Sequence, residues 1–469
     1  MTNGAPITKG NGEISEHSGP ARPDRSARLA ALRVRTVLPA AAALAAVGLL
    51  GGCVATSSGQ QAAGQAASRS PSTAATSAVG TPSRTGSGAG GASPAASCAS
   101  VGAPATGANA APALQSIQFV DQSHGWAAGA GRIMATSDGG HAWTRQYAGT
   151  AALRQVDFTD AAHGWAVGQG TLMSTADGGA TWTTRPEPRL NGQCAAVSAV
   201  HFVSPSLGYA IAASADSTSA GAGAGSAGGA AAGAANAGGQ LLRTTDGGVT
   251  WAPVSGAPAN AQAVCFGGPR DGYVGSPGRI WRTTDGGTTW SPTFTEPAAS
   301  SGQSAGQQAG DTPEIECAGQ HAAWVLFLGT GAAMLHAPYL AYATRDGHTW
   351  RGVMEEAMLE SAVRPGLHMP DGPGSEPGPF SAISPDAAAF VGYTPPANGW
   401  GAAPLTMATD GGATLNRAGD VTGVNQPLAA AFLTTTRGWV VGENLKARTF
   451  AIVATADAGR TWTTQYATS

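Results

Sequence analysis

Short stretches in which apolar and polar residues alternate recur along the chain, among them Ile117-Gln118-Phe119, Val156-Asp157-Phe158 and Val200-His201-Phe202. Period-two alternation of this length predicts β-strands. Each stretch is followed by a turn and then by a Gly-aromatic phrase, seen as His124 to Gly129, His163 to Gly168, Asp271 to Gly275 and Arg437 to Gly442. A second phrase closes each unit: Thr or a small residue, any residue, Asp, Gly, Gly, any residue, Thr, Trp. It occurs seven times, as Thr136 to Trp143, Thr175 to Trp182, Thr244 to Trp251, Thr283 to Trp290, Thr344 to Trp350, Ala408 to Leu415 and Thr455 to Trp462. Asp138 and Asp177 stand 39 residues apart, as do Asp246 and Asp285, which is the length of one four-stranded propeller blade. Strand A carries the alternating run, strand B the Gly-aromatic phrase, strand C leads into the Asp, and strand D follows the Trp. The expected fold is all-β, a seven-bladed β-propeller of four-stranded antiparallel blades over residues 113–469, preceded by a signal peptide and a disordered linker.

The closing phrase is suited to a tight reversal between strands C and D. Its glycines tolerate positive φ, and the short Asp carboxylate can accept amide hydrogen bonds within its own turn. Asp138, Asp177, Asp246, Asp285, Asp346, Asp410 and Asp457 are therefore expected to be structural, with Trp143, Trp182, Trp251, Trp290, Trp350 and Trp462 buried between neighbouring blades. A calcium loop needs several oxygen ligands at alternating positions, and each phrase supplies one carboxylate, so no metal is expected. His124, His163, Arg132 and Arg279 recur at equivalent positions and read as turn residues.

The phrase resembles the Asp-box, or BNR repeat, of sialidases, sortilin-type receptors and several glycoside hydrolases. Combined with the Gly-aromatic phrase, it resembles the photosystem II assembly and stability factor family and its relatives in non-photosynthetic bacteria. The resemblance spans roughly residues 113–469 and implies the propeller fold; propellers of this kind host unrelated activities, and the photosystem role is not implied here.

Residues 1–52 read as a lipoprotein signal peptide with a long basic region at its start. Arg22, Arg25, Arg28, Arg33 and Arg35 precede an apolar run, Val37 to Leu50, that is short for a membrane span. The run ends in Leu50-Gly51-Gly52-Cys53, which resembles the bacterial lipobox and implies cleavage before Cys53 and lipidation of its thiol. An uncleaved N-terminal anchor is the alternative. The basic region begins late enough that a start downstream of Met1 is expected. Residues 53–112 are Ala, Ser, Gly, Thr and Pro with few large apolar side chains, a composition expected of a disordered tether. The expected location is the extracytoplasmic side of the cell membrane, with the lipid as the membrane contact.

Charged residues make up 11% of the chain and the net charge is −3, so nucleic acid is not an expected partner. Cys98, Cys194, Cys265 and Cys317 can form disulfides in an exported domain, and four cysteines allow three pairings. Cys265 and Cys317 fall in or near strand A of adjacent blades, Cys194 just before strand A of the third, and Cys98 could pin the tether to the propeller.

Insertions interrupt the 39-residue rhythm, and all fall in connections B–C or D–A, the face opposite the Asp phrases. Standardised turns on one face and elaborated loops on the other predict a scaffold that presents loops to a partner. The candidate contacts are Tyr339, Glu355, Glu356, Tyr393 and Trp400, together with His336, His368, Glu443 and Arg448. The expected role is a monomeric binding or assembly module for an envelope protein or glycan, without a cofactor. The rival reading is a glycoside hydrolase of the sialidase type or another propeller class. It requires two facing carboxylates, and no such constellation is visible. Asp157 and Glu316 hold equivalent strand A positions, each eight residues before its aromatic, and are the inner carboxylates most open to such a role.

Overall fold

The computed structural model describes residues 114–468 apart from residues 169, 215–238, 298–310, 330–338, 357–368 and 395–400. The predicted signal peptide, Cys53, the tether, Cys98, His336, His368 and Trp400 lie outside the described residues. The described residues are strands and turns, with no helix among them.

The first sheet holds β1 (Leu114–Phe119), β2 (Gly125–Thr136), β3 (Thr144–Phe158), β4 (Gly164–Gly168), β5 (Thr171–Thr175) and β6 (Thr183–Arg185) in sequence order. The second holds β7 (Arg189–Leu190), β8 (Gln193–Phe202), β9 (Gly208–Ser214), β10 (Gln240–Thr244) and β11 (Ala252–Pro253). The third is β12 (Ala263–Phe266) to β13 (Gly272–Ser276), β14 (Arg279–Thr283) and β15 (Ser291–Thr295). The fourth is β16 (Thr312–Cys317), β17 (Ala323–Leu328), β18 (Tyr339–Thr344) and β19 (Arg351–Glu355). The fifth is β20 (Phe380–Ser384), β21 (Ala387–Val391), β22 (Pro404–Thr409) and β23 (Thr414–Asp420). The last is β24 (Gln426–Phe432), β25 (Gly438–Asn444), β26 (Thr449–Thr455) and β27 (Thr463–Ala467).

The fold is thus a β-propeller of antiparallel four-stranded units, but hydrogen bonding gives six sheets where seven were predicted. The difference lies in β3. Its first half, Thr144 to Ala152, pairs with β2, and its second half, Leu153 to Phe158, pairs with β4. No loop separates strand D of the first repeat from strand A of the second, so one strand serves both and joins the two repeats in one sheet.

The Gly-aromatic phrase explains how adjacent units pack. Phe119, Phe158, Phe202, Phe266 and Phe432 end their inner strands and pair directly with Gly125, Gly164, Gly208, Gly272 and Gly438. A Cβ at any of these glycines would fall within the paired phenylalanine ring. Where the inner strand ends instead in Cys317, the paired residue is Ala323. With its own glycine beneath it, each of these rings except Phe432 stacks on the aromatic of the preceding unit. Trp126 meets Phe158 at 3.6 Å, Trp165 meets Phe202 at 3.4 Å, Tyr209 meets Phe266 at 3.7 Å and Trp439 meets Phe119 at 3.6 Å between centroids. The same aromatics donate across the interface: Trp126 Nε1 to Gly178 O at 2.9 Å, Trp165 Nε1 to Gly247 O at 3.0 Å and Tyr209 OH to Gly286 O at 3.0 Å. Buried apolar surface and a satisfied polar tip are thereby combined in one side chain.

This arrangement corrects the role predicted for the Trp of the Asp phrase. Trp143, Trp182, Trp251, Trp290, Trp350 and Trp462 are half-buried. All but Trp350 meet the phenylalanine of their own unit edge-on, at 5.9 to 6.4 Å. The fully buried interface residues are the strand B aromatics Trp126, Trp165, Tyr209, Tyr273, Trp324 and Trp439. Gly164→Ala tests this packing. The methyl group must displace a ring held between Trp126 and Trp182, so a loss of about 3 kcal/mol is expected in denaturant unfolding. Gly268→Ala, where an added Cβ meets nothing within 4 Å, is expected to stay within about 0.5 kcal/mol of the parent.

Candidate binding face and inner carboxylates

Each Asp phrase is a closed hydrogen-bonded turn. In the second, Thr175 Oγ1 donates to Asp177 Oδ1 at 2.8 Å and accepts the Gly179 amide at 2.8 Å. Thr181 then donates to Asp177 through its amide at 2.8 Å and its hydroxyl at 2.6 Å. Gly178 and Gly179 take φ of 70° and 93°, which permits the reversal. The same network recurs around Asp246, Asp285 and Asp457. Threonine hydroxyl donation, followed by amide donation, holds Asp177, Asp246, Asp285 and Asp457 down to about 2. Folded values below the unfolded ones mean that these turns contribute stability above about pH 4, which is lost as pH falls toward about 2. Their carboxylate oxygens are thus committed to the turn.

The first amide past the Asp fixes the face on which the turn lies. Gly139 N donates to Ser123 O, Gly178 N to Ala162 O, Gly247 N to Ser206 O and Gly286 N to Arg270 O, at 2.8 to 2.9 Å. Each C–D turn is therefore bonded to the A–B turn of its own unit. His124 and His163 complete those A–B turns, with Nδ1 at 2.9 and 3.0 Å from Asp121 Oδ2 and Asp160 Oδ2. Both act as turn residues, in line with the sequence reading. Arg132 instead reaches across the ring junction, donating to Tyr466 OH at 3.2 Å.

The inner strands carry a series of clamps, of which the sequence pattern singles out only Asp157 and Glu316, without their partners. Gln118 accepts the Phe158 amide at 2.6 Å and donates to Phe158 O at 3.2 Å. Gln155 does the same to Val200, at 3.0 and 2.9 Å. Asp157 accepts the Phe202 amide at 2.5 Å, Glu316 the Ala382 amide at 2.6 Å and Ser381 Oγ the Phe432 amide at 3.0 Å. His201 Nε2 lies 2.9 Å from Phe266 O. In Gln118, Asp157, His201 and Glu316 it is the position before the strand-ending residue that reaches the backbone of the next inner strand. Cys265 holds this position in β12 and bonds covalently to Cys317, the strand-ending residue of β16, with Cα atoms 5.6 Å apart. The disulfide is the covalent form of the contact that Gln118, Asp157 and Glu316 make by hydrogen bonding.

Burial raises Asp157 above the usual carboxylate range and pushes Glu314 and Glu316 up to about 7. Glu316 is partly offset by the Ala382 amide, whereas for Glu314 burial is the whole cause. The two glutamates are two residues apart on β16, so they lie side by side on one face of one strand. Because folded values exceed unfolded ones, the protonated pair favours folding fully below about pH 4.5, and this contribution is lost as pH rises through about 7. Glu314→Gln is expected to leave thermal stability nearly unchanged at pH 5. At pH 8 it should raise stability by about 2 kcal/mol, since a neutral amide replaces a buried charge.

On the face opposite the Asp turns, the predicted contacts separate. Tyr339 and Tyr393 are 2% and 5% exposed and Glu356 is 2% exposed, so the expectation that they present themselves to solvent is corrected. Tyr339 OH donates to Gly374 O at 2.7 Å, and the Tyr393 and Glu376 backbones exchange hydrogen bonds at 3.0 and 3.1 Å. These rings anchor residues 371–379 to the sheets. Glu355 is half-buried and its backbone pairs with Leu340 and Asp371. Asp371, Thr422, Lys446 and Arg448 are exposed there. A concavity of 280 Å³ opens between residues 401–403 and 420–425, lined by Ala402, Asp420, Thr422 and Asn425. Asn425 Nδ2 donates to Gly401 O at 3.1 Å, whereas its buried Oδ1 has no partner. An unpaired amide oxygen thus lies where the connections emerge, while exposed charge occurs on both faces, as in the Arg345–Asp386 pair beside the Asp turns.

No protein-family model matches the chain, and no curated protein matches it. Solved structures similar to it include YCF48 bound to D1 peptide, at 16% identity and TM-score 0.44, covering 71% of this chain and 91% of that one. The GH74 enzyme of Niastella koreensis is similar at 12% identity and TM-score 0.49, covering 75% of this chain and 54% of that one. The GH74 xyloglucanase of Xanthomonas campestris is similar at 14% identity and TM-score 0.47, covering 76% and 55%. The chain spans about half the length of the two GH74 enzymes.

Proposed function

We propose that this chain is a lipid-anchored extracytoplasmic propeller that serves as a binding or assembly scaffold for a protein or glycan at the cell envelope. The observation that carries the proposal is the division between the two faces. One is closed by near-identical turns whose carboxylates are consumed internally, and the other gathers every long connection, the exposed Asp371, Thr422 and Arg448, and the concavity beside Asn425. A face of repeated structural turns opposite a face of long, unlike connections is the arrangement expected of a presenting scaffold.

The chemistry of the inner carboxylates favours binding over hydrolysis. Glycoside cleavage uses two carboxyl groups that flank the scissile bond. Glu314 and Glu316 project from the same face of one strand, and Asp157 and Glu316 each hold the backbone of the next sheet. The test is capture from detergent-solubilised envelope, with a glycan array in parallel. Asp371→Ala/Thr422→Ala/Arg448→Ala is expected to reduce capture at least tenfold, while Thr250→Ala/Thr289→Ala on the Asp-turn face leaves it unchanged. Turnover of a model glycoside by the purified propeller, or capture indifferent to the first variant, would overturn the proposal.

A further inference from the structure

Arg282 stands directly before Thr283 of the third sheet's Asp phrase and is buried, whereas Arg243, at the same place in the preceding phrase, is exposed. Two turns of the fourth sheet cover it, the A–B turn through His321 and the C–D turn through Asp346, Gly347 and His348. A Cβ at Gly347, where φ is 75°, would fall 2.4 Å from Arg282 Cζ, so the close approach of this turn requires glycine. The fourth sheet's Asp phrase, Thr344 to Trp350, is one residue shorter than Thr283 to Trp290. Gly347 N donates to Thr344 Oγ1 at 2.9 Å, and His321 O, the counterpart of Ser123 O and Arg270 O, accepts Tyr273 OH at 2.6 Å. The amide bond that ties C–D turn to A–B turn elsewhere is thus replaced here by Arg282, which reaches both turns from the neighbouring sheet.

A guanidinium only donates, so each of its partners must offer a lone pair. Nη1 lies 3.0 Å from Asp346 O and 2.9 Å from His348 Nε2. Nη2 lies 3.1 Å from His321 Nδ1 and 3.5 Å from Asp271 Oδ1. Two of the four acceptors are therefore imidazole nitrogens, and they accept only while their rings are neutral. We propose that Arg282, His321 and His348 form an acid-released latch that closes the Asp-turn side of the junction between the third and fourth sheets. A proton taken up by His321 makes Nδ1 a donor, and Asp271 Oδ1, 3.0 Å away, receives it. A proton taken up by His348 sets a second cation against Arg282, and this exposed ring turns to water. Arg282 then keeps Asp346 O alone, and its buried Nε has no partner in either state. A buried guanidinium deprived of acceptors regains them by admitting water, which parts the two turns from the third sheet.

The other charged and titratable groups around the latch do not take over its role. The Asp346 carboxylate accepts the His348 and Thr349 amides at 2.8 and 2.7 Å, within its own turn. Asp271 Oδ2 faces Gln320 Nε2 at 3.4 Å, and the Tyr273 ring lies 5.9 Å from Arg282 Cζ. Glu314 and Glu316, on the inner strand of the same sheet, act in the opposite sense, since their protonation favours the fold as pH falls. The Cys265–Cys317 bond holds the inner strands together throughout, so release is confined to the Asp-turn side.

Amide exchange of the full chain, corrected for the intrinsic pH dependence of exchange, tests the latch. Residues 318–322 and 345–349 are expected to exchange at least about tenfold faster at about pH 5 than at about pH 8, with β9 unchanged. In His321→Asn/His348→Gln, whose amide oxygens accept but do not protonate, the change at both turns should fall below about twofold. His348→Gln alone, at an exposed position, disturbs the fold least and should bring the change at 345–349 below about threefold. Equal protection of the native turns at both pH values, equal acceleration in β9, or an undiminished change in either variant would overturn the proposal.

Discussion

Trp439→Ala should lower the unfolding free energy by about 4 kcal/mol, the largest loss expected from a single side chain in this ring. Trp439 is 1% exposed and stacks on Phe119 at 3.6 Å, joining the last sheet to the first. Its indole Nε1 donates to Gln465 Oε1 at 3.0 Å, and Gln465 Nε2 donates onward to Gly139 O at 3.2 Å. No strand is shared at this junction: β27 ends the last sheet and β1 begins the first. Closure therefore depends on side chains, with Leu114, Ile117, Phe119 and Met134 packing against Trp439, Val441 and Ile452. Arg437 adds a cation over the Trp439 ring at 5.3 Å and donates to Gln122 O at 3.2 Å. Truncating the indole removes the stack, the relay and the cation–π contact together. Amide exchange should then quicken in β1 and β24 before it does in β9 or β18, and the loss should be read in denaturant unfolding. A cost below about 1 kcal/mol would mean that the junction is closed by something else.

The second large effect is at the junction of the third and fourth sheets. Cys265→Ser/Cys317→Ser is expected to cost about 4 kcal/mol, given a closed loop of 52 residues. This junction lacks the phenylalanine stack found at Phe119, Phe158, Phe202 and Phe266, because Cys317 ends its inner strand. Contacts that cross it include Tyr273 OH to His321 O at 2.6 Å and Arg282 Nη1 to Asp346 O at 3.0 Å, with His321 and His348 beside the guanidinium. Restoring the repeat pattern offers a control. Cys265→Ser/Cys317→Phe with Ala323→Gly should recover part of the loss, since a ring at position 317 requires glycine opposite, as at Phe266 and Gly272. Thermal unfolding with and without reductant checks both variants. Equal midpoints in the two conditions for the parent protein would contradict the account.

How far the sequence discloses these features follows from how local they are. The Asp phrases are self-contained turns of Thr, Asp and Gly, so their position and their role as hairpin locks are legible from seven residues at a time. The strand order and the segregation of long connections follow from the same spacing. Three features depend on contacts between units and are less legible. That Asp157 and Glu316 are equivalent can be counted, but their partners, the Phe202 and Ala382 amides, lie 45 and 66 residues away. That β3 runs through two repeats depends on residues 149–152 remaining extended, which Gly-Thr-Ala-Ala neither demands nor forbids. Tyr339 and Tyr393 sit beside long insertions and so read as exposed loop aromatics, yet they pack inward because their backbones belong to the sheet and its adjoining bridge. The repeated pairing of phenylalanine with glycine was available in the sequence six residues apart, as in Phe119 and Gly125. Its meaning appears only once the two residues are seen to be cross-strand partners.

The claim that this ring binds through the face opposite its Asp turns is tested most directly by site-specific photocrosslinking in the intact envelope. A crosslinking side chain placed at Arg448 or Thr422 is expected to yield one discrete adduct, and the same group at Val249 or Thr289, exposed on the other face, to yield none. Adducts formed from Val249 or Thr289 but not from Arg448 or Thr422 would contradict the assignment of the binding face.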